Sequence, residues 1–225
     1  MRKSLTILPG KAALLLVDLQ EEHRHDRRFL VDNFSAVIAN AVLLLEAARK
    51  AALPTYHCAY IVDVAAARPF HPVTPDGLSA FSDRNDPLTA ICPEVAPAGA
   101  ECTLIKAEAS AFGDGVLGPE LKARGVEWLF VAGVWTEACV DASVKDAQKA
   151  GLRVVLVKDA CGSGTAAMHR IGVLNLANRL YGGAVADTAN ACRLIEGQAG
   201  EAWVTPGAVP LRYSLANATE MYDGL

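Results

Sequence analysis

The 225-residue chain lacks the marks of several protein classes. It has no apolar run long enough to cross a bilayer, which takes about 20 apolar residues, so a membrane is not an expected partner. It has no basic tract and no interleaving of aromatic with basic residues, and its formal net charge is -4. Nucleic acid is therefore not an expected partner either. None of its six cysteines (Cys58, Cys92, Cys102, Cys139, Cys161 and Cys192) forms a Cys-x-x-Cys pair. That scatter reads as reduced thiols in a cytoplasmic protein, not as a disulfide frame. The start, "MRKSLTILPG", has two positive charges but a very short apolar stretch, which argues against a signal peptide. No internal repeat is present.

What the chain does have is a hydrophobic fraction of 52% against 20% charged residues. That is ample for one domain over residues 1–225 with a sizeable core. Ala12–Val17 is a continuous apolar run, which suits a strand buried on both faces, and it ends at Asp18. Asp32 is a plausible cap for a helix in which Phe34, Val37, Ile38, Ala41, Leu44, Leu45 and Ala48 recur at helical spacing. "LPTYHCAYIV", "ECTLIK", "VEWLFVAG", "LRVVLVKDA" and "GAVADTANA" read as further strands, with short helices between. The alternation predicts a three-layer α/β/α fold around a mostly parallel, six-stranded sheet. Residues 63–100 hold most of the prolines and no periodicity, so they read as a long excursion serving function or subunit contact. Residues 202–225 read as an extended arm ending in a short helix.

Open parallel sheets gather their functional groups at the carboxyl ends of the strands. Asp18, Lys106 and Cys139 all fall there or just beyond. Cys139 lies in "GVWTEACV", where Thr136 is expected to cap a helix over residues 137–150. A lone cysteine in such a place is ordinarily a small packing residue. A helix N-terminus and a nearby ammonium would instead give it thiolate character. A carboxylate alongside could take the thiol proton and return it to a leaving amine, while backbone N–H groups at the turn hold an oxyanion.

"LLLVDLQ", "IKAEASAFGDGVL" and "VAGVWTEACVDASVKDAQKAGLRVVLVKDACGS", in that order, resemble the isochorismatase-like hydrolases, and among them the cysteine amidohydrolases. The resemblance runs from about Ala12 to Asp187. It implies a catalytic triad of Asp18, Lys106 and Cys139, a cis peptide between Val134 and Trp135, and an oxyanion hole from the backbone N–H groups of Trp135 and Cys139. It implies no cofactor, a small amide or carbamoyl substrate such as an acid amide or a ureide, and a homo-oligomer, dimer or tetramer. True isochorismatases, which cleave a vinyl ether, lack the cysteine. Vinyl-ether hydrolysis and a non-catalytic oligomeric role are the alternatives.

Gln20, Phe112 and Trp135 are candidate pocket residues, each with ordinary packing or structural hydrogen bonding as the alternative. Nicotinamidases of this superfamily bind a metal through a tight Asp-x-His-x-x-His run. Here "HCAYIVDVAAARPFH" offers Asp63 and His71 without that spacing, so no metal is expected. The segment after Asp18, "LQEEHRHDRRF", is unusually charged where relatives often have Asn-Asp-Phe. Arg68, Arg84 and His71 are candidates to meet a substrate carboxylate.

Overall fold

In a computed structural model of the chain, which describes residues 1–208 and 211–225, every residue of the run Ala12–Val17 is buried. Two separate cores explain why a strand can be apolar throughout. Ala12, Leu14 and Leu16 enter one cluster, with the buried face of the helix Phe34–Lys50. Ala13, Leu15 and Val17 enter another, with Leu121, Val144 and Leu174 from the opposite layer. Each fully buried leucine contributes about 1.5–3 kcal/mol relative to an exposed one.

The strands are β1 (Arg2–Leu5), β2 (Ala12–Val17), β3 (Thr55–Tyr60), β4 (Cys102–Lys106), β5 (Trp128–Val134), β6 (Arg153–Gly162), β7 (Ala184–Ala186) and β8 (Gly200–Trp203). The helices are α1 (Glu22–His25), α2 (Phe34–Lys50), α3 (Leu117–Ala123), α4 (Asp141–Lys149), α5 (Ala166–Ala177), α6 (Thr188–Ile195) and α7 (Ala218–Asp223). They build one sheet of order β1-β8-β7-β6-β5-β2-β3-β4. From β7 to β4 all pairings are parallel. The chain leaves β2 toward β3 and β4 on one side, then returns to β5 on the other. The β2–β5 boundary is therefore the switch point where such sheets open a crevice.

The sheet has eight strands, not the expected six. The two extra ones, β1 and β8, pair antiparallel at one edge. β1 is almost wholly exposed and carries Arg2, Lys3 and Ser4, so it has no apolar pattern to betray it. β8 takes Ala202 and Trp203 out of the expected arm, and residues 209 and 210 of that arm lie outside the described residues. α6 was also unforeseen; Asp187 caps it by accepting from the Asn190 N–H. α2 has the expected buried positions, but it starts from Asn33 in a left-handed conformation with no side-chain cap, so Asp32 does not cap it. Among the described residues no helix is long and apolar enough to cross a membrane.

The excursion contains three short 3-10 turns (Val64–Ala66, Pro87–Thr89 and Pro93–Val95) and is stitched onto the chain that follows Asp18. Cys92 N–H donates to the Leu19 carbonyl at 2.8 Å, and Glu21 N–H donates to that of Ala90 at 2.9 Å. Gln20, fully buried, donates to the carbonyls of Tyr60 and Thr89 and accepts from Tyr60 N–H. Its side chain thus replaces backbone partners that a loop cannot supply.

Gly133, near the end of β5, has φ +129°, and a Cβ there would stand 2.1 Å from the Val17 carbonyl oxygen. Backbone on both sides prevents relief. Gly133→Ala is expected to destabilise the fold by more than about 3 kcal/mol, read as a shift of the urea midpoint. An unchanged midpoint would show that β2 and β5 are not so closely apposed.

Candidate active site

β2 ends in a residue that few side chains tolerate: Asp18 has φ 51°. Its carboxyl is buried, and Oδ2 accepts from Lys106 Nζ at 2.7 Å. Lys106 stands at the end of β4, two strands from β2, so its side chain must reach across β3. Its ammonium also donates to the Glu108 carbonyl at 3.1 Å and lies 4.5 Å from the centre of the Tyr60 ring. Burial opposes the charge on Lys106, but Asp18 and the neighbouring thiols outweigh it and hold the pKa above the ordinary lysine value. Asp18 Oδ1 is left without a partner, the only buried side-chain nitrogen or oxygen so enclosed among the described residues.

Cys139 follows β5. The Val134–Trp135 peptide is cis, and the next five residues, Thr136–Val140, form one wide π-type turn before α4 begins at Asp141. The Trp135 carbonyl accepts from both Ala138 and Val140 N–H groups. The expected helix over residues 137–150 is therefore shorter, and Thr136 does not cap it. Thr136 Oγ1 instead donates to the Gly162 carbonyl at 2.9 Å, so it must accept from His169 Nδ1 at 2.8 Å. Burial, with Arg170 and Lys158 adding, pushes His169 down to about 4. The neutral ring then accepts at Nε2 from the Tyr222 hydroxyl at 3.0 Å. This line from α7 to the turn was invisible in the sequence, because its members are 33 and 53 residues apart.

Asp18 and Cys139 line the same cavity of about 470 Å³. Phe29, Tyr60, Phe81 and Trp135 give it aromatic walls, and Glu22, His23 and Arg68 add polar groups. Trp135 packs tightly: a Cβ on Gly164 would stand 2.6 Å from its ring. His23 Nδ1 is 3.2 Å from the Phe29 carbonyl and 3.4 Å from Trp135 Nε1. One nitrogen cannot donate to the first and accept from the second, and the shorter contact makes it a donor to Phe29.

Of the candidate pocket residues, Trp135 alone lines this cavity. Gln20 is spent on the backbone contacts described above. Phe112 packs against the core beside α3 and α4. Arg68 borders the cavity, whereas Arg84 pairs with Asp63 and His71 Nε2 meets Ser79 Oγ at 2.7 Å. Glu21, Cys92 and Glu94 converge near the excursion, but the guanidinium of Arg24 already binds both carboxylates. Glu22, Phe29 and Phe81 were missed as site residues. The only trace of Glu22 and Phe29 was the odd charge of the segment after Asp18, and Phe81 lies in the excursion, which has no periodicity to place it.

The expected thiolate character of Cys139 is not what the environment favours. Burial pushes the thiol up, the Asp18 charge adds to this, and Lys106 only partly opposes them, leaving the pKa at about 12. Asp18 acts on the resting thiol first through its charge and to a lesser extent through hydrogen bonding.

An isochorismatase domain matches residues 12–190 of the chain. An isochorismatase family protein of Bacillus subtilis, YddQ, is 29% identical over 153 residues, covering 68% of this chain and 78% of its own. The maleamate amidohydrolase of Pseudomonas putida is 36% identical over 100 residues, which is 44% of this chain and only 46% of that protein. The crystal structure of a cysteine hydrolase from Pseudomonas syringae superposes with a TM-score of 0.76 at 24% identity, covering 85% of this chain and 95% of that one. It shares the fold.

The thiol's environment has a measurable consequence. Alkylation of Cys139 by iodoacetamide is expected to rise with pH throughout the range below about 9, without the neutral-pH plateau of a preformed thiolate. Asp18→Asn removes a charge that raises the thiol, so it should lower the apparent pKa by about 1 unit or more. An unmoved or raised pKa in that variant would contradict the assignment.

Proposed function

The chain belongs to the isochorismatase family, and we propose that within it this protein is a cysteine-dependent amidohydrolase acting on a small amide or carbamoyl compound. The observation that carries this reading is the unpartnered Asp18 Oδ1, enclosed in a site whose other oxygen is held by Lys106 and whose cavity contains Cys139. A carboxylate oxygen left free beside a neutral thiol suits a base that acts only when a substrate arrives. The maleamate amidohydrolase similarity supports amide hydrolysis.

In this mechanism Cys139 Sγ attacks the carbonyl carbon as its proton passes to Asp18 Oδ1. The backbone N–H groups of Trp135 and Cys139 hold the oxyanion. The C–N bond breaks as Asp18 returns the proton to the departing nitrogen, leaving a thioester on Cys139 and releasing ammonia or an amine. Asp18 then takes a proton from water, hydroxide adds to the thioester, and the carboxylic acid leaves as the thiol is regenerated. Lys106 keeps Asp18 fixed and offsets the negative charge that passes through the site.

Ammonia release measured on a panel of acid amides, carboxamides and ureides tests this. Cys139→Ala is expected to abolish turnover, and Asp18→Asn to reduce kcat by about 100-fold or more. Wild-type protein quenched during turnover should carry an acyl adduct on Cys139 by mass spectrometry. Turnover that survives in Cys139→Ala would sink the mechanism.

A further inference from the structure

Glu22 is the one acid besides Asp18 that lines the cavity, and the mechanism above gives it no task. It is 4% exposed, and a carboxyl so enclosed is ordinarily paired with a cation. Its only ion-pair contact among the described residues is with His23, whose Nε2 lies 3.9 Å from Oε1 and whose own pKa is pushed down by burial. The Ser82 hydroxyl, reaching in from the excursion, donates to Oε1 at 2.7 Å. No hydrogen bond of ordinary geometry reaches Oε2 among the described residues. Oε2 is nevertheless not sealed off, since Asp18 Oδ1 is the only buried side-chain nitrogen or oxygen enclosed without a partner among the described residues. It therefore keeps some accessible surface, on a residue that lines the cavity.

The surroundings indicate which kind of group would meet it there. Burial raises Glu22 to about 7, and Asp18 and Asp86 add to it, while the Ser82 hydroxyl and backbone N–H oppose it. With Oε1 already accepting from Ser82, a proton on this carboxyl belongs on Oε2, where it faces the cavity. The basic side chains around the same space are mostly committed: Arg28 pairs with Asp26, and Lys106 pairs with Asp18. Arg68, exposed and lining the cavity, makes no ion pair among the described residues. The site thus offers a buried O–H donor and one uncommitted positive charge.

We propose that Glu22 is a specificity-determining residue that donates a hydrogen bond from Oε2 to the carboxylate of the substrate, with Arg68 supplying the countercharge. This deepens, and rests on, the amidohydrolase reading: it selects acid amides over neutral amides.

A binding measurement tests this without depending on turnover. Cys139→Ala protein is titrated calorimetrically, below about pH 7, with maleamate and with its neutral diamide, maleamide. The acid amide is expected to bind about tenfold tighter or more. Adding Glu22→Ala should bring the two ligands within about twofold of each other. Glu22→Gln should keep most of the preference, because its amide, oriented by Ser82, presents N–H where Oε2 stood. Arg68→Ala, at an exposed position where folding is not at stake, should weaken maleamate and leave maleamide unchanged. Equal binding of the two ligands, no measurable binding of either, or a Glu22→Gln variant that loses the preference as Glu22→Ala does would each overturn the proposal. If the preference holds but wild-type protein releases no ammonia from either compound, the amidohydrolase reading fails and the carboxylate site stands.

Discussion

The buried ion pair between Asp18 and Lys106 is the constraint on which the site depends. Taking both charges out of water costs several kcal/mol per ion, which the pair recovers only with good geometry and further hydrogen bonds. The 2.7 Å contact, the bond to the Glu108 carbonyl and the Tyr60 ring beneath the ammonium provide these. Charge counting then fixes the third member. With one carboxylate and one ammonium the enclosure is neutral, and a thiolate would leave it with an uncompensated negative charge. The proton therefore stays on Cys139.

The excursion closes this enclosure. Residues 63–100 have almost no regular structure, yet their backbone is anchored through Leu19, Gln20 and Glu21, immediately after Asp18. The same segment brings Phe81 and Ser82 to the cavity. Asp18 and the cavity wall are therefore held by one set of hydrogen bonds. The fully buried Gln20 is the hinge of that arrangement, which is why it lies beside the site without facing into it.

Much of this was legible in the sequence where one periodicity governed. The apolar runs of β2, β5 and β6 and the helical stripe of α2 follow from burial on two faces or one. Asp18, Lys106 and Cys139 could be placed because strand ends are visible in such patterns. β1 was not legible, since an exposed edge strand needs only a partner's backbone and leaves no apolar signature. The turn before α4 misled for a different reason: Thr136 has the chemistry of a cap, but Gly162 and His169, brought close by the fold, take its hydrogen bonds. Local sequence shows what a side chain can do and is silent on which distant partner claims it. The same limit hid Glu22, whose setting depends on Ser82, 60 residues away.

Two carboxyls share the cavity, and their surroundings differ. Asp18 has an ammonium at 2.7 Å, whereas Glu22 has a serine hydroxyl and an imidazole whose pKa burial pushes down. Where two titratable groups sit in one site, environments that separate them permit one to act as a base while the other stays protonated. If both were ionised, an acidic ligand would meet two negative charges beside Cys139. If both were neutral, the thiol would have no base. The difference depends on Lys106 reaching across β3 to Asp18 and not to Glu22, so the order of the strands decides which carboxyl has the ammonium beside it.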